Sequence, residues 1–365
     1  MVDYNNKIKD LEAELKKTKV NKRTESAVGL LKAKIAQLRE KQDSRVQKKT
    51  GRSEYGYSVR KSGDGTVLLL GFPSAGKSTL LNKLTDANSE VGSYAFTTLS
   101  VVPGMMEYKQ AKIQILDVPG IVSGAASGKG RGREVLTVIR NADLVLMVVD
   151  VNHPEHFPAI TKEVNDAHIR MNKTKPEVFI KKKTKGGIQV GKTVPLGMRD
   201  ETIKQILREF KMVNADILIR SPIDVDDLID AIEGNKKFIP AIYCITKVDL
   251  ADALTAKKVK YQINADIAVS AEEDINIEML KELIFEKLNF MRVYLKEPRK
   301  EADLKEPLII RCESNIREVC LKLHRDFPKR FRFARVWGKS ARHPAQKVML
   351  KHVLKDEDIL EIHLD

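Results

Sequence analysis

The chain of 365 residues has little that could cross-link it or carry it through a bilayer: three cysteines, one tryptophan and no long apolar run. Cys244, Cys312 and Cys320 are too few for a disulfide framework and show no CxxC spacing. Cys244 lies in the apolar run Ile239–Ile245 and reads as a core residue; Cys312 and Cys320 read as two reduced thiols. No apolar run reaches the ~20 residues that span a membrane. Met1–Lys19 is charged throughout, which excludes a signal peptide. A soluble, cytoplasmic protein is the expectation. Aromatics are scarce at 5% while hydrophobic residues reach 42%, so the cores must be built from aliphatic side chains. What is abundant is positive charge. Sixty-five Lys/Arg oppose 50 Asp/Glu, a net +15 that points to a polyanionic partner.

The length calls for two or three domains. Ile8, Leu11 and Leu15 recur at helical spacing, as do Val28, Leu31, Ile35 and Leu38, with polar Thr18–Thr24 between them. Residues 1–62 are therefore expected as a basic helical hairpin; Met1–Lys61 carries 17 Lys/Arg against 8 Asp/Glu. From there the texture changes to short apolar runs alternating with helical patterns. The runs Val67–Leu70, Ile113–Leu116, Leu144–Val149 and Ala241–Thr246 predict a mostly parallel sheet covered on both faces. Residues 63–162 and 239–288 belong to this α/β domain, and 163–238 is an α+β insertion. Within the insertion, Val178–Ile180 and Ile188–Val190 flank Lys181–Gly187 like the strands of a hairpin, and Asp200–Lys211 is helical. After the Pro- and charge-rich stretch Lys296–Pro307, residues 289–365 form a small α+β domain.

Gly71-Phe72-Pro73-Ser74-Ala75-Gly76-Lys77-Ser78 fits GxxxxGK[ST], directly after an apolar run and before a helix. Gly76 lets the backbone curl so that amides point at phosphate oxygens. Lys77 brings a point charge to the β- and γ-phosphates, Ser78 a hydroxyl for Mg²⁺, and the helix start its dipole. Thr79 follows in the same nucleotide-contacting set. Asp117-Val-Pro-Gly120 ends the next run: Asp117 can hold magnesium through a water, and the Gly120 amide can meet the γ-phosphate. Between them, Phe96-Thr97-Thr98-Leu99 lies where a nucleotide-sensing loop belongs. Thr98 is the first choice to complete the magnesium shell and Thr97 the reserve, because spacing does not separate them. Thr246-Lys247-Val248-Asp249 ends the last run. Asp249 can accept from guanine N1–H and the 2-amino group, a donor pair that adenine lacks, and Lys247 can lie along the base. Ser270 and Ala271 can offer a backbone amide to guanine O6. The metal set is thus Ser78, Thr98 and Asp117, and the catalytic set Lys77, Thr98 and Gly120.

These residues resemble the Ras-like GTPase superfamily, specifically the developmentally regulated GTP-binding proteins, TRAFAC-class relatives of the Obg group. The resemblance spans essentially the whole chain. Its most specific pieces are Gly71–Ser78, Tyr94–Leu99, Gly128–Arg133, Lys181–Gly187 and Gly338–His343. It implies a Ras-like P-loop GTPase domain with an inserted small α+β domain, an N-terminal helical segment and a C-terminal β-grasp (TGS, ubiquitin-like) domain. It also implies GTP/GDP and Mg²⁺ as ligands, association with translating ribosomes, and a dedicated stabilising partner protein; a monomer is expected. The usual base motif begins with Asn where this chain has Thr246, so an amide contact to the neighbouring loop is expected to be lost.

Ras-like enzymes orient the attacking water with a glutamine just after DxxG; here that position is Ile121, which predicts slow intrinsic turnover raised from outside. The resemblance suggests K⁺ near the phosphates, although Ser74 stands where potassium-dependent relatives often carry Asn. The glycine- and base-rich Gly124–Arg133 reads either as a mobile second switch or as a solvated loop. In Lys329–Arg335, strand alternation puts Phe331 and Phe333 on one side and Arg330 and Arg332 on the other, offering arginines to RNA. His153-Pro-Glu-His156 offers two imidazoles, and no third ligand follows at usable spacing for zinc. Two other readings remain. A P-loop kinase or ATPase is disfavoured by Asp249 with Ser270-Ala271; an RNA- or ribosome-binding factor holding GTP as a structural ligand is kept open by Ile121.

Overall fold

A computed structural model describes residues 4–19, 21, 24–85 except 51–61, 102–118, 138–298 and 300–365. They fall into two compact units, one from residues 1–57 with His168–Phe238, the other from Ser58–Ala167 with Ile239–Asp365.

The larger unit is built on a six-stranded sheet. From edge to edge it runs Ile267–Ala268, Ala241–Thr246, Leu144–Asp150, Gly65–Leu70, Ala111–Asp117 and Val102–Tyr108. All neighbours are parallel except the last pair, which is antiparallel. Gly65–Leu70 and Leu144–Asp150 are buried at every position, which is why they read as unbroken apolar runs. The helix Lys77–Leu84 buries Leu80, Leu81 and Leu84 against the sheet, a stripe at 3.6-residue spacing.

The same unit carries a second, five-stranded sheet ordered Leu308–Arg311, Phe290–Leu295, Asp358–Leu364, Phe331–Trp337, Gln346–Val348. Its central pair, Phe290–Leu295 and Asp358–Leu364, is parallel and the other pairs antiparallel. The helix Ile316–Leu323 starts with a reciprocal capping box between Asn315 and Glu318 and buries Ile316, Val319 and Cys320 on this sheet. The expected alternation in Phe331–Trp337 is corrected by a register shift between Phe331 and Phe333. Phe331 packs with the core, whereas Phe333 stacks on His363 at 4.2 Å beneath the Lys347 ammonium.

In the smaller unit, the helices Tyr4–Lys17 and Glu25–Thr50 pack on each other and carry an Arg39–Glu12 ion pair at 2.7 Å. The longer one also packs on Asp200–Glu209 and Val225–Glu233. Val28, Leu31, Ala33 and Ile35 are buried along it, and Lys32 pairs with Asp226 at 2.6 Å. The N-terminal segment is therefore part of one compact body with the insertion. The expected hairpin is also corrected: Val178–Lys182 and Ile188–Lys192 do not pair with each other. Ala215–Ile219 lies between them, antiparallel to the first and parallel to the second.

Candidate functional site

The described site residues close strands of the six-stranded sheet or lie in the segments that leave their carboxyl ends, the edge where parallel α/β sheets open to ligands. Gly71 follows Gly65–Leu70; Asp117 and Asp150 close their strands; Thr246 closes a third beside Asp150; Ser270 follows the short edge strand. Phe96, Thr97, Thr98, Gly120, Ile121 and Gly124–Arg133 lie outside the described residues, as does Tyr94–Leu99 as a whole.

Two backbone positions shape the phosphate loop. A Cβ on Gly71 would stand 2.5 Å from the Val148 carbonyl oxygen, so only glycine lets the loop leave the sheet there. Gly76, with φ +83°, sits in the left-handed region as the helix begins. Lys77 is buried and donates to the carbonyls of Gly71 (3.3 Å) and Phe72 (3.0 Å). Burial pushes its ammonium down from the ordinary value, with the Asp117 carboxylate opposing that. Ser74, Ser78 and Thr79 are exposed at the mouth of the loop.

Ser78 Oγ donates to Asp117 Oδ2 at 2.7 Å. The other oxygen, Asp117 Oδ1, is buried without a hydrogen-bond partner among the described residues. A buried acceptor left unpaired beside a hydroxyl is costly, and the pair is the oxygen-donor set that a hard divalent cation takes. Magnesium fits this site, held by Ser78 and Asp117.

The base-reading segment shows what Thr246 does in place of Asn, and here the expected loss is corrected. The buried Thr246 hydroxyl donates to the Ala75 carbonyl at 2.8 Å, with the Val149 carbonyl at 3.3 Å. The contact between base loop and phosphate loop is thus kept by a shorter side chain. Lys247 has φ +57° and its ammonium meets Asp150 at 2.8 Å. Burial opposes ionisation of Asp150, but the Lys247 and Asn152 hydrogen bonds hold its carboxyl below the ordinary range. Asp249 is exposed in the turn Val248–Leu250. Of the Ser270/Ala271 pair, the Ser270 amide already donates to the Ile275 carbonyl at 3.2 Å.

Sequence reading missed two neighbours. Asp150 was visible only as an aspartate ending an apolar run, and its partner Lys247 is far away in the chain. His156 stacks on Phe72 of the phosphate loop, with centroids 4.2 Å apart. A third donor does exist for the His153/His156 pair, correcting the spacing argument: Glu155 brings the three ligand atoms within 4.8 Å of one another on open surface. There the carboxylate meets His153 Nδ1 at 3.0 Å.

A phosphate loop, a magnesium-side aspartate and a base-reading loop gathered on one sheet edge define a P-loop GTPase, and similarity to known proteins agrees. Residues 66–183 match the family described as 50S ribosome-binding GTPase, residues 185–290 the C-terminal region of MMR_HSR1 domain, and residues 291–364 the TGS domain. The chain is 51% identical to an uncharacterized GTP-binding protein of Methanocaldococcus jannaschii, over 97% of this chain and 91% of that one. It is 44% identical to guanylate binding protein 128up of Drosophila melanogaster, over 98% and 97%. With developmentally-regulated GTP-binding protein 1 of Xenopus laevis it shares 42%, over 98% of both. The chain belongs to the developmentally regulated GTP-binding protein family, with a Ras-like P-loop GTPase domain and a TGS domain. It is a GTPase that binds GTP and GDP. Among the described residues, no helix is long and apolar enough to cross a membrane.

Proposed function

We propose that this GTPase works as a switch in translation, ordered by GTP, released by hydrolysis, and meeting RNA or the ribosome through its basic surfaces. The observation that carries the nucleotide half is the Ser78–Asp117 pair with its orphaned Oδ1 beside the buried Lys77. Phosphoryl transfer asks a protein for positioning and charge neutralisation more than for covalent chemistry. Lys77 and the loop amides bind the β- and γ-phosphates. Asp249 reads the base edge, Ala271 offers its amide to O6, and the Thr246–Ala75 bond holds the two loops in register. Magnesium bound by Ser78 and Asp117 supplies positive charge to the phosphate oxygens. Thr98, with Thr97 in reserve, and Gly120 respond to the γ-phosphate. The family description "50S ribosome-binding GTPase" and the +15 net charge support the ribosomal half.

Co-sedimentation with ribosomes tests that half, compared between GDP and a non-hydrolysable GTP analogue: more protein is expected in the pellet with the analogue, and equal pellets refute the switch. Ile121 favours a second reading, in which GTP is a structural ligand of an RNA-binding factor. A Lys77→Ala chain that pellets like wild type with any nucleotide would carry that reading instead. K⁺ near the phosphates accounts for turnover without a glutamine at Ile121. Single-turnover hydrolysis should then be faster in potassium than in sodium, and equal rates discard the cation.

A further inference from the structure

The insertion packs one face of its three-stranded sheet onto helices and, among the described residues, leaves the other open. Val178, Ile180, Val190, Ile217 and Ile219 point into the core beneath Ile203, Ile206 and Leu228. The opposite face follows from the strand registers: Phe179 stands beside Leu218, which stands beside Gly191, and the next row is Lys181, Asp216, Gln189. These six residues line a shallow trough. Three features of it are unusual for an idle surface. Phe179 is 56% exposed, with the Arg220 guanidinium 5.3 Å from its ring centroid, so an aromatic platform is already backed by a cation. Gly191, across Leu218 from that ring, adds no side chain to the floor. Asp216, its Oδ1 buried, pairs with Lys183 through Oδ2 and so holds a lysine at the rim of the trough. Around the trough, Lys181, Lys183 and Lys185 are exposed.

An exposed ring backed by arginine and a fringe of lysines match two parts of an unpaired nucleotide: base face and phosphate. We propose that this open sheet face binds single-stranded RNA, with a base stacked on Phe179, the strand running over Leu218 toward Gly191, and its phosphates beside Lys181, Lys183 and Lys185. A duplex cannot use the platform, because its bases are already stacked. The proposal rests on the reading that the polyanionic partner is RNA, and it names the surface that makes the contact.

The test is fluorescence anisotropy of the full chain against labelled 12-nucleotide oligouridine and oligoadenosine, with a 12-base-pair RNA duplex as competitor and GDP affinity measured on the same samples. Stacking of one base is worth about 1–3 kcal/mol, so Phe179→Ala should weaken single-strand binding by roughly 5- to 150-fold. Phe179→Trp should retain it, and Gly191→Leu, which adds a side chain to the floor, should weaken it as Phe179→Ala does. Lys181→Ala should flatten the salt dependence by about 0.7 per lost phosphate contact. GDP affinity should be unchanged throughout, since none of these residues belongs to the nucleotide site. If wild type binds and Phe179→Ala binds equally, or the duplex competes as well as the single strand, this surface is wrong and the RNA reading stands. If wild type binds neither oligonucleotide, both fall.

Discussion

Replacing Thr246 by valine exchanges one hydroxyl for a methyl of nearly the same volume, so the packing of the Ala241–Thr246 strand is untouched and a single hydrogen bond is removed. Thr246 is 2% exposed and its hydroxyl lies 2.8 Å from the Ala75 carbonyl. A hydrogen bond of this kind contributes about 0.5–1.5 kcal/mol net, and leaving its buried acceptor unpaired costs about 1–3 kcal/mol. The bond ties two segments of the folded chain together, so part of the loss falls on stability. The rest falls on binding, because a phosphate loop no longer tied to the base loop must be ordered by the ligand. Thr246→Val should therefore lower the unfolding temperature and raise the GDP dissociation constant by about 3- to 15-fold, within the ~1.4 kcal/mol per decade relation. Thr246→Asn should restore binding, since its amide can donate to the same carbonyl. Equilibrium titration with a fluorescent GDP derivative, beside thermal melts, measures both terms. A Thr246→Val chain that binds GDP like wild type would refute the idea that this bond couples the two loops.

Other perturbations follow from the same geometry. Asp249→Asn turns an acceptor into a partial donor, so GDP affinity should fall on the order of a hundredfold or more while xanthosine diphosphate, with a 2-oxo group, gains; unchanged selectivity in a competition assay would remove Asp249 from the base site. Gly71→Ala drives a Cβ to 2.5 Å from the Val148 carbonyl oxygen, so nucleotide binding should be lost and the melting temperature lowered, whereas a normal melt with normal binding would show the loop can shift. The Asp150 carboxyl is held below its ordinary value of 3.8 in the folded chain, so its contribution is present above that pH and is lost as pH falls through the lower folded value. Acid denaturation curves of Asp150→Asn and wild type should accordingly converge at the acid end and separate above it, with wild type the more stable; parallel curves contradict the Asp150–Lys247 pairing.

The nucleotide site was legible because its signals are local. A buried parallel strand reads as an apolar run, and the residue that closes the run lands on the ligand edge, so Gly71, Asp117, Thr246 and Ser270 could be placed from order alone. Contacts between strand ends could not. That Thr246 reaches Ala75, or that Asp150 anchors Lys247, depends on which strands are neighbours, and periodicity does not carry that information. The insertion misled for a physical reason. Two short apolar runs around a Gly-Gly turn satisfy the hairpin rule, but Ala215–Ile219 offers a strand with Ala215, Ile217 and Ile219 fully buried, and it takes the place between them. Likewise the shift between Phe331 and Phe333 reverses a simple alternation. The helix Glu25–Thr50 showed its apolar stripe plainly, but not the helices that cover it.

The discontinuity of the smaller unit sets an order of events during synthesis. Gly29 and Ala33 leave the ribosome early, yet the Asp200–Glu209 helix that packs on them through Ile206 is made only after most of the nucleotide-binding sheet has been translated. The Ala241–Thr246 strand, with its guanine-reading end, emerges later still. For that interval the side of the long helix that holds Gly29 and Ala33 lacks its partner from the insertion. Deleting the insertion would therefore leave that side of the amino-terminal helix without the partner it was shaped for, rather than yield a minimal GTPase.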